Sequence, residues 1–133
     1  MLFGKEHVAR YRETDGAEGH DWQGTVTLLL TTTGRRSGKE RTTPLIYQPE
    51  GDAYVVVASL GGADHNPLWY ENLTADPEVK VQVKGDKFTA RARTATPEEK
   101  PALWRKMAAV WPAYDDYQRK TTRNIPVVVL EPA

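Results

Sequence analysis

Val79, Val81 and Val83 alternate with Lys80, Gln82 and Lys84, and past Gly85-Asp86 the alternation resumes as Phe88, Ala90 and Ala92 against Thr89, Arg91 and Arg93. Successive side chains on a strand point to opposite faces, so this stretch predicts a hairpin with one buried face, turned at Gly85-Asp86. AYVVVAS, from residue 53, is apolar without alternating, which suits a central strand. Further strands are predicted at residues 25–33 and 41–48, with PEGD as the turn before AYVVVAS, and at the closing IPVVVLEP.

Two segments carry helix signals instead. NPLWYENLTADP offers Asn66 as N-cap, Pro67 at the first helical position and Asp76-Pro77 as the stop. TPEEKPALWRKMAAVW opens on Thr96 as cap, with Glu99 completing a capping box and Leu103, Met107 and Val110 at helical spacing. Pro101 predicts a delayed start or a bend. YDDYQRKTT reads as a last short helix. MLFGKEHVARYRE suits a short amphipathic helix using Leu2, Phe3 and Val8, either packed on the domain or resting weakly on a membrane surface. RETDGAEGHDWQG is a polar, glycine-rich loop.

About five or six strands of even length, with few helices and no strand–helix–strand alternation, predict a mainly β, α+β fold. An antiparallel barrel with helices covering its openings fits better than a doubly wound sheet. Residues 1–24 are then an N-terminal arm and loop, and residues 25–133 the barrel domain.

Composition narrows the chemistry. The 133 residues suffice for one domain with a real core. Lys plus Arg and Asp plus Glu number 18 each, so no global field draws nucleic acid or anionic lipid, and any anion site is local. Cysteine is absent, which excludes disulfides and thiol catalysis; His7, His20 and His65 lack ligand-like spacing, so no metal site is expected. No apolar run reaches membrane-span length, and the start does not resemble a signal peptide. A cytoplasmic protein is expected, peripheral to the membrane if the arm rests there.

Against this neutral background, TTTGRRSGKERTTPL gathers Arg35, Arg36, Lys39 and Arg41 in one turn between strands. Arginine forks match phosphate and carboxylate oxygens, Gly34 and Gly38 allow a tight turn, and Thr33 and Ser37 add hydroxyls. One charge-assisted hydrogen bond contributes about 1.5–3 kcal/mol, so two or three anchor a phosphorylated ligand. On these residues alone, a solvated hairpin tip explains the turn equally well. A second constellation is LGGADHNPLWY, where Gly61-Gly62 precede a helix N-terminus with Leu68 and Trp69 in its first turn. Trp69 suits a core position or a ring platform. The third is WPAYDDYQ, with Trp111, Tyr114 and Tyr117 as a pocket wall or as packing over the barrel mouth.

Together, LLLTTTGRRSGKERTTPLIY, ASLGGADHNPLWYENL and PAYDDYQRKTTRNIPVVVLEP resemble the deazaflavin-dependent nitroreductase family from about Gly19 to the C-terminus. The resemblance implies a split β-barrel and the 5-deazaflavin coenzyme F420, whose tail carries a phosphodiester and glutamates. It implies that Arg35, Arg36, Ser37 and Lys39, with Arg41, Thr42, Thr43 and Pro44, grip that tail. Val57, Ala58, Ser59, Leu60 and Gly61 would line the ring, together with Leu68, Trp69, Tyr70, Glu71 and Asn72. Tyr114 would close over the deazaflavin, with Ile46, Ser59, Trp111 and Tyr117 toward the acceptor.

The implied chemistry is hydride transfer to an electron-poor acceptor: a quinone, nitroaromatic or enone. Ser59, Tyr114 or Tyr117 would hydrogen-bond the acceptor and help deliver a proton. Relatives often carry lysine where this chain has Leu60, tyrosine where it has Trp111, and uncharged residues at Lys39-Glu40. Two rivals use the same barrel: a carrier that binds F420 without turnover, and an FMN-binding oxidoreductase. No nucleic-acid partner is expected, and the chain is read as a monomer or homodimer.

Overall fold

The computed structural model describes residues 2–133. In chain order the elements are α1 (Gly4–Thr14), β1 (Asp21–Trp22), β2 (Thr25–Thr33), β3 (Glu40–Ile46), β4 (Gln48–Glu50), β5 (Ala53–Val57), α2 (Leu68–Ala75), β6 (Glu78–Val83), β7 (Asp86–Thr94), α3 (Lys100–Val110), α4 (Ala113–Arg119) and β8 (Val127–Pro132). Every strand pairing is antiparallel, and the eight-stranded sheet runs β1-β2-β6-β7-β8-β5-β4, with β3 on β2.

The predicted strand at 41–48 is two strands, because the chain breaks at Tyr47. Before the break it pairs β2, with Thr33↔Glu40 at the tip; after it, β4 pairs β5. The two halves join opposite ends of the sheet, which is what curls it into a split barrel. Tyr47 is buried at that corner with its hydroxyl 2.8 Å from His20 Nε2. Burial pushes its phenol up to about 12.

The hairpin of β6 and β7 keeps the expected alternation at Val79, Val81, Ala90 and Ala92, all buried, but beside the turn Gln82 is buried and Val83 only half-buried. Its turn falls one residue early. Val83 pairs with Asp86, leaving Lys84-Gly85 as the loop, and Lys84 takes φ 54° while donating its N–H to Tyr11 Oη at 2.8 Å.

β5 is not central, since it lies between β8 and the short β4. Its continuous apolar character has another cause. Val56, Val128 and Leu130 face the barrel core with Leu28, Leu30 and Trp69. Val55, Val57, Val127 and Val129 face outward into a second core with Leu103, Met107 and Tyr114. Helices α3 and α4 thus cover the outer face of β5 and β8, and strands covered on both faces do not alternate.

The helices match their expected places with shifted ends. Asn66 does not cap α2, which starts after Pro67. The Thr96–Glu99 capping box forms, with Thr96 N–H on Glu99 Oε1 at 2.9 Å and Glu99 N–H on Thr96 Oγ1 at 3.2 Å. Regular helix is delayed to Lys100, as Pro101 in the first turn requires. In α1 the buried residues are His7 and Tyr11, not Leu2, Phe3 and Val8, and Phe3 is exposed. Both buried groups are satisfied: His7 Nε2–H donates to the Gly19 carbonyl at 2.8 Å, and Tyr11 Oη–H to the Thr27 carbonyl at 3.0 Å. The arm therefore packs on the barrel. No helix among the described residues is long and apolar enough to cross a membrane.

Tyr11→Phe removes a hydroxyl that is fully buried and paired on both sides. Leaving the Lys84 N–H without its partner should cost about 1–3 kcal/mol of unfolding free energy, read as a lower denaturant midpoint with unchanged slope.

Candidate active site

One cleft of about 1560 Å³ runs along the barrel mouth, walled by α1, the β2–β3 tip, β3, the segment after β5, the start of α2 and α4. At its polar end the tip closes tightly: Gly34 N–H donates to the Lys39 carbonyl at 2.8 Å and Gly38 N–H to the Gly34 carbonyl at 2.9 Å. The buried Asn72 of α2 docks this tip on the sheet. Its Oδ1 accepts the Arg35 N–H at 3.2 Å, and its Nδ2 donates to Thr32 Oγ1 at 3.2 Å. Arg35 also pairs with Glu71 at 3.2 Å, and Arg12 from α1 donates to Thr42 Oγ1 at 2.8 Å. Arg36 and Arg41 line the cleft without an acidic partner among the described residues. At the tip itself the positive charge open to a ligand is theirs, and Lys5 and Arg12 of α1 add cations on the same wall.

Away from the basic tip the cleft wall is largely apolar. Phe3, Leu60 and Leu68 are exposed large hydrophobic residues, at 61, 46 and 74%, and all three lie on this wall with Ile46 and Val57. Beyond β5 the backbone turns sharply at Leu60–Gly62, where Leu60, Gly61 and Gly62 take φ of 45°, 63° and 85°. A Cβ on Gly62 would stand 2.7 Å from the Tyr117 carbonyl oxygen and 2.9 Å from its Cα. Glycine there lets α4 lie directly on the loop.

At the far end Tyr114 is buried, packed against Trp104 and Tyr117, with ring centroids 6.2 and 6.1 Å away. Burial raises its phenol above the usual range, so the hydroxyl stays protonated as a donor. Neither the Tyr114 nor the Tyr117 hydroxyl, nor Ser59 Oγ, has a hydrogen-bond partner among the described residues, and all three residues line the cleft. Trp104 Nε1–H donates to Asp115 at 2.8 Å, which fixes α4 on α3. Across the mouth, Trp22 bridges the arm to Trp111, with centroids 5.8 Å apart, and Phe3 and His7 pack on Trp22.

Most of the residues predicted for the site meet in this one cleft; Lys39, Ala58 and Tyr70 do not reach its wall. Lys39 sits past the tip, its N–H on Ser37 Oγ. Ala58 is fully buried in the barrel core, and Tyr70 turns to β7, its hydroxyl 2.7 Å from Thr94 Oγ1. Trp69 is both core and wall. Sequence reasoning missed the arm's share of the wall, including Lys5, His7, Arg12 and Trp22, as well as Asn66. The i, i+4 pair His7 and Tyr11 was the available signal for which face of α1 turns inward.

A curled antiparallel barrel with this cleft defines a split-barrel reductase of the flavin and deazaflavin type. A profile of the F420H(2)-dependent quinone reductases matches residues 3–132, and the chain belongs to that family. An F420H(2)-dependent quinone reductase of Mycobacterium tuberculosis is 41% identical, the match covering 93% of this chain and 86% of that one. Among solved structures, a domain-swapped dimer is 38% identical with TM-score 0.77 over 96% of both chains. An F420-H2 dependent reductase is 40% identical with TM-score 0.73, covering 79% of this chain and 93% of that one. The family is one of F420H(2)-dependent oxidoreductases, which lends the FMN alternative no support.

The Gly62 contact with Tyr117 separates two costs. Gly61→Ala meets open space and should lose only the positive-φ penalty, about 1–3 kcal/mol. Gly62→Ala adds a backbone collision and should be the less stable of the two in equilibrium denaturation.

Proposed function

We propose that the cleft holds F420H(2) with its anionic tail on the basic tip, and that the chain reduces an electron-poor acceptor, a quinone first, at the aromatic end. The observation that carries this reading is the pairing, in one cleft, of unpartnered Arg36 and Arg41 at one end with unpartnered Ser59, Tyr114 and Tyr117 hydroxyls at the other. A long ligand with an anionic tail and a flat, oxygen-bearing ring fits that division. Bound there, the reduced deazaflavin supplies a hydride. The protein's part is binding, orientation and exclusion of water.

In this reading Arg36 and Arg41 take the tail oxygens, with Ser37 and Thr42 adding hydroxyls. Ser59 and Tyr117 orient the acceptor's oxygen. Tyr114, held protonated by burial, donates to it as negative charge develops. The exposed Leu60 and Leu68 and the Trp22–Trp111 pair favour flat apolar acceptors, which supports quinones over more polar nitroheterocycles. The arm of residues 1–24 is then part of the site rather than an appendage. Similarity to a domain-swapped dimer favours a homodimer over a monomer.

Titrating the protein with F420 and following reoxidation of F420H(2) by menadione tests the reading. Binding with enzyme-dependent reoxidation supports it; binding without turnover favours a carrier; binding of FMN in place of F420 overturns it. Arg36→Ala and Arg41→Ala should each weaken F420 binding roughly tenfold or more, since each removes a charge-assisted bond of about 1.5–3 kcal/mol. Added salt should weaken wild-type binding more than that of either variant. Tyr114→Phe should instead lower kcat about a hundredfold with little change in F420 affinity.

A further inference from the structure

Arg123 lies off the cleft wall, in the segment between α4 and β8, yet its guanidinium is wired into the loop after β5. Nε–H donates to the Ala63 carbonyl at 2.7 Å and Nη2 to the Ser59 carbonyl at 2.6 Å. Nη1 donates to Asn66 Oδ1 at 2.7 Å and to the Ala58 carbonyl at 3.3 Å. One side chain thus holds three carbonyls and the Asn66 amide just before α2. Arg123 is itself anchored to α4, because Gln118 donates to its carbonyl at 2.8 Å and accepts the Ile125 N–H at 3.1 Å.

The clasped loop has an unusual backbone. Ser59 is right-handed at φ −82°, and Leu60, with its branched side chain, takes φ 45°. A right-handed residue followed by a left-handed one turns consecutive N–H groups toward a common point, a concavity that receives electron-rich oxygens. The Leu60 and Gly61 N–H groups find no acceptor among the described residues, and both residues lie on the cleft wall. A non-glycine residue persists at positive φ only where its surroundings over-determine it. Inside the loop only Gly62 N–H to the Ser59 carbonyl and Ala63 N–H to the Leu60 carbonyl do so. Beyond these, the loop is held by the packing of Gly62 on Tyr117 and by the hydrogen bonds of Arg123.

We infer that Arg123 is a positioning residue: by drawing back the carbonyls of the loop, it presents the Leu60 and Gly61 N–H groups to the cleft as a receptor for a carbonyl oxygen of the cofactor ring. The ring's identity rests on the function proposed above; the clasp does not. Because Gln118 ties the same arginine to α4, the receptor is held in register with Tyr114 and Tyr117.

Hydrogen exchange on the ligand-free protein, read beside F420 affinity, tests this in Arg123→Met and Arg123→Lys. The Gly62 and Ala63 amides, the hydrogen-bonded ones of the loop, should exchange roughly tenfold faster or more in Arg123→Met while β5 and β8 stay protected. F420 should bind about ten- to a hundredfold more weakly, with kcat reduced as well, since small misplacements near the reacting centre are costly. Arg123→Lys keeps the charge and part of the donor set and should lie between. Millimolar methylguanidinium should restore part of the binding in Arg123→Ala. Unchanged exchange at Gly62 and Ala63, or faster exchange spread evenly over the fold, overturns the assignment. Wild-type protein that binds no F420 would count against the proposed function, and the local exchange result would still decide the role of Arg123.

Discussion

Covering β5 and β8 on both faces is the constraint on which the site depends. Because Val55, Val57, Val127 and Val129 point away from the barrel, they require a second layer, and α3 and α4 supply it through Leu103, Met107 and Tyr114. That layer carries Tyr114 and Tyr117 to the end of β5, where the chain must turn at Ser59. Each buried valine contributes about 1.5–3 kcal/mol relative to exposure, more than a typical neutral hydrogen bond of about 0.5–1.5 kcal/mol. The aromatic wall and the loop meet because apolar burial brings them together. Gly62 then allows the contact to be close.

Electrostatics works at shorter range in this chain. With 18 cationic and 18 anionic side chains, attraction at a distance is slight. Exposed pairs such as Arg35–Glu71 are worth only about 0–1 kcal/mol. The basic tip is therefore held less by that pair than by the buried Asn72, which satisfies the Arg35 backbone and Thr32 at once. Spending Arg35 on structure leaves Arg36 and Arg41 without competitors. A ligand oxygen arriving there displaces water rather than a carboxylate.

How much of this was legible follows from which interactions are local. The β6–β7 alternation, the capping box of α3 and the basic turn are set by residues near one another in sequence, and they stand where the pattern put them. The break at Tyr47 was not legible, because Ile46 and Tyr47 both favour strand and the break is dictated by which end of the sheet each half must reach. Asn66 looked like an N-cap by every local rule, but Arg123, distant in sequence, takes its oxygen instead. The apolar run at β5 was read as central when it is doubly covered; both give the same unbroken pattern. For the site, three motifs separated by long stretches pointed to one cleft only through a family likeness. The arm's contribution was hidden because α1 turns inward a histidine and a tyrosine, residues whose burial depends on partners elsewhere in the chain.

The arm also sets the character of the cleft mouth. Its base is held firmly: Tyr11 is fully buried and hydrogen-bonded to β2 and to the β6–β7 turn, and His7 is bonded to Gly19. At the mouth it is joined to the α3–α4 corner by the Trp22–Trp111 ring contact, a pairing worth about 0.5–1.5 kcal/mol beyond its buried area. The base of the arm is thus fixed by buried hydrogen bonds, whereas the aromatic rim is closed by ring contacts. Apolar side chains crowd that rim, with Phe3 and Leu60 still exposed. An acceptor that covers them gains burial that water cannot offer, whereas a polar acceptor forgoes it. The departure at Trp111 bears on this rim, and under the proposed function its effect falls on the choice of acceptor; the departure at Leu60 removes a cation that the family likeness would place on the cofactor tail.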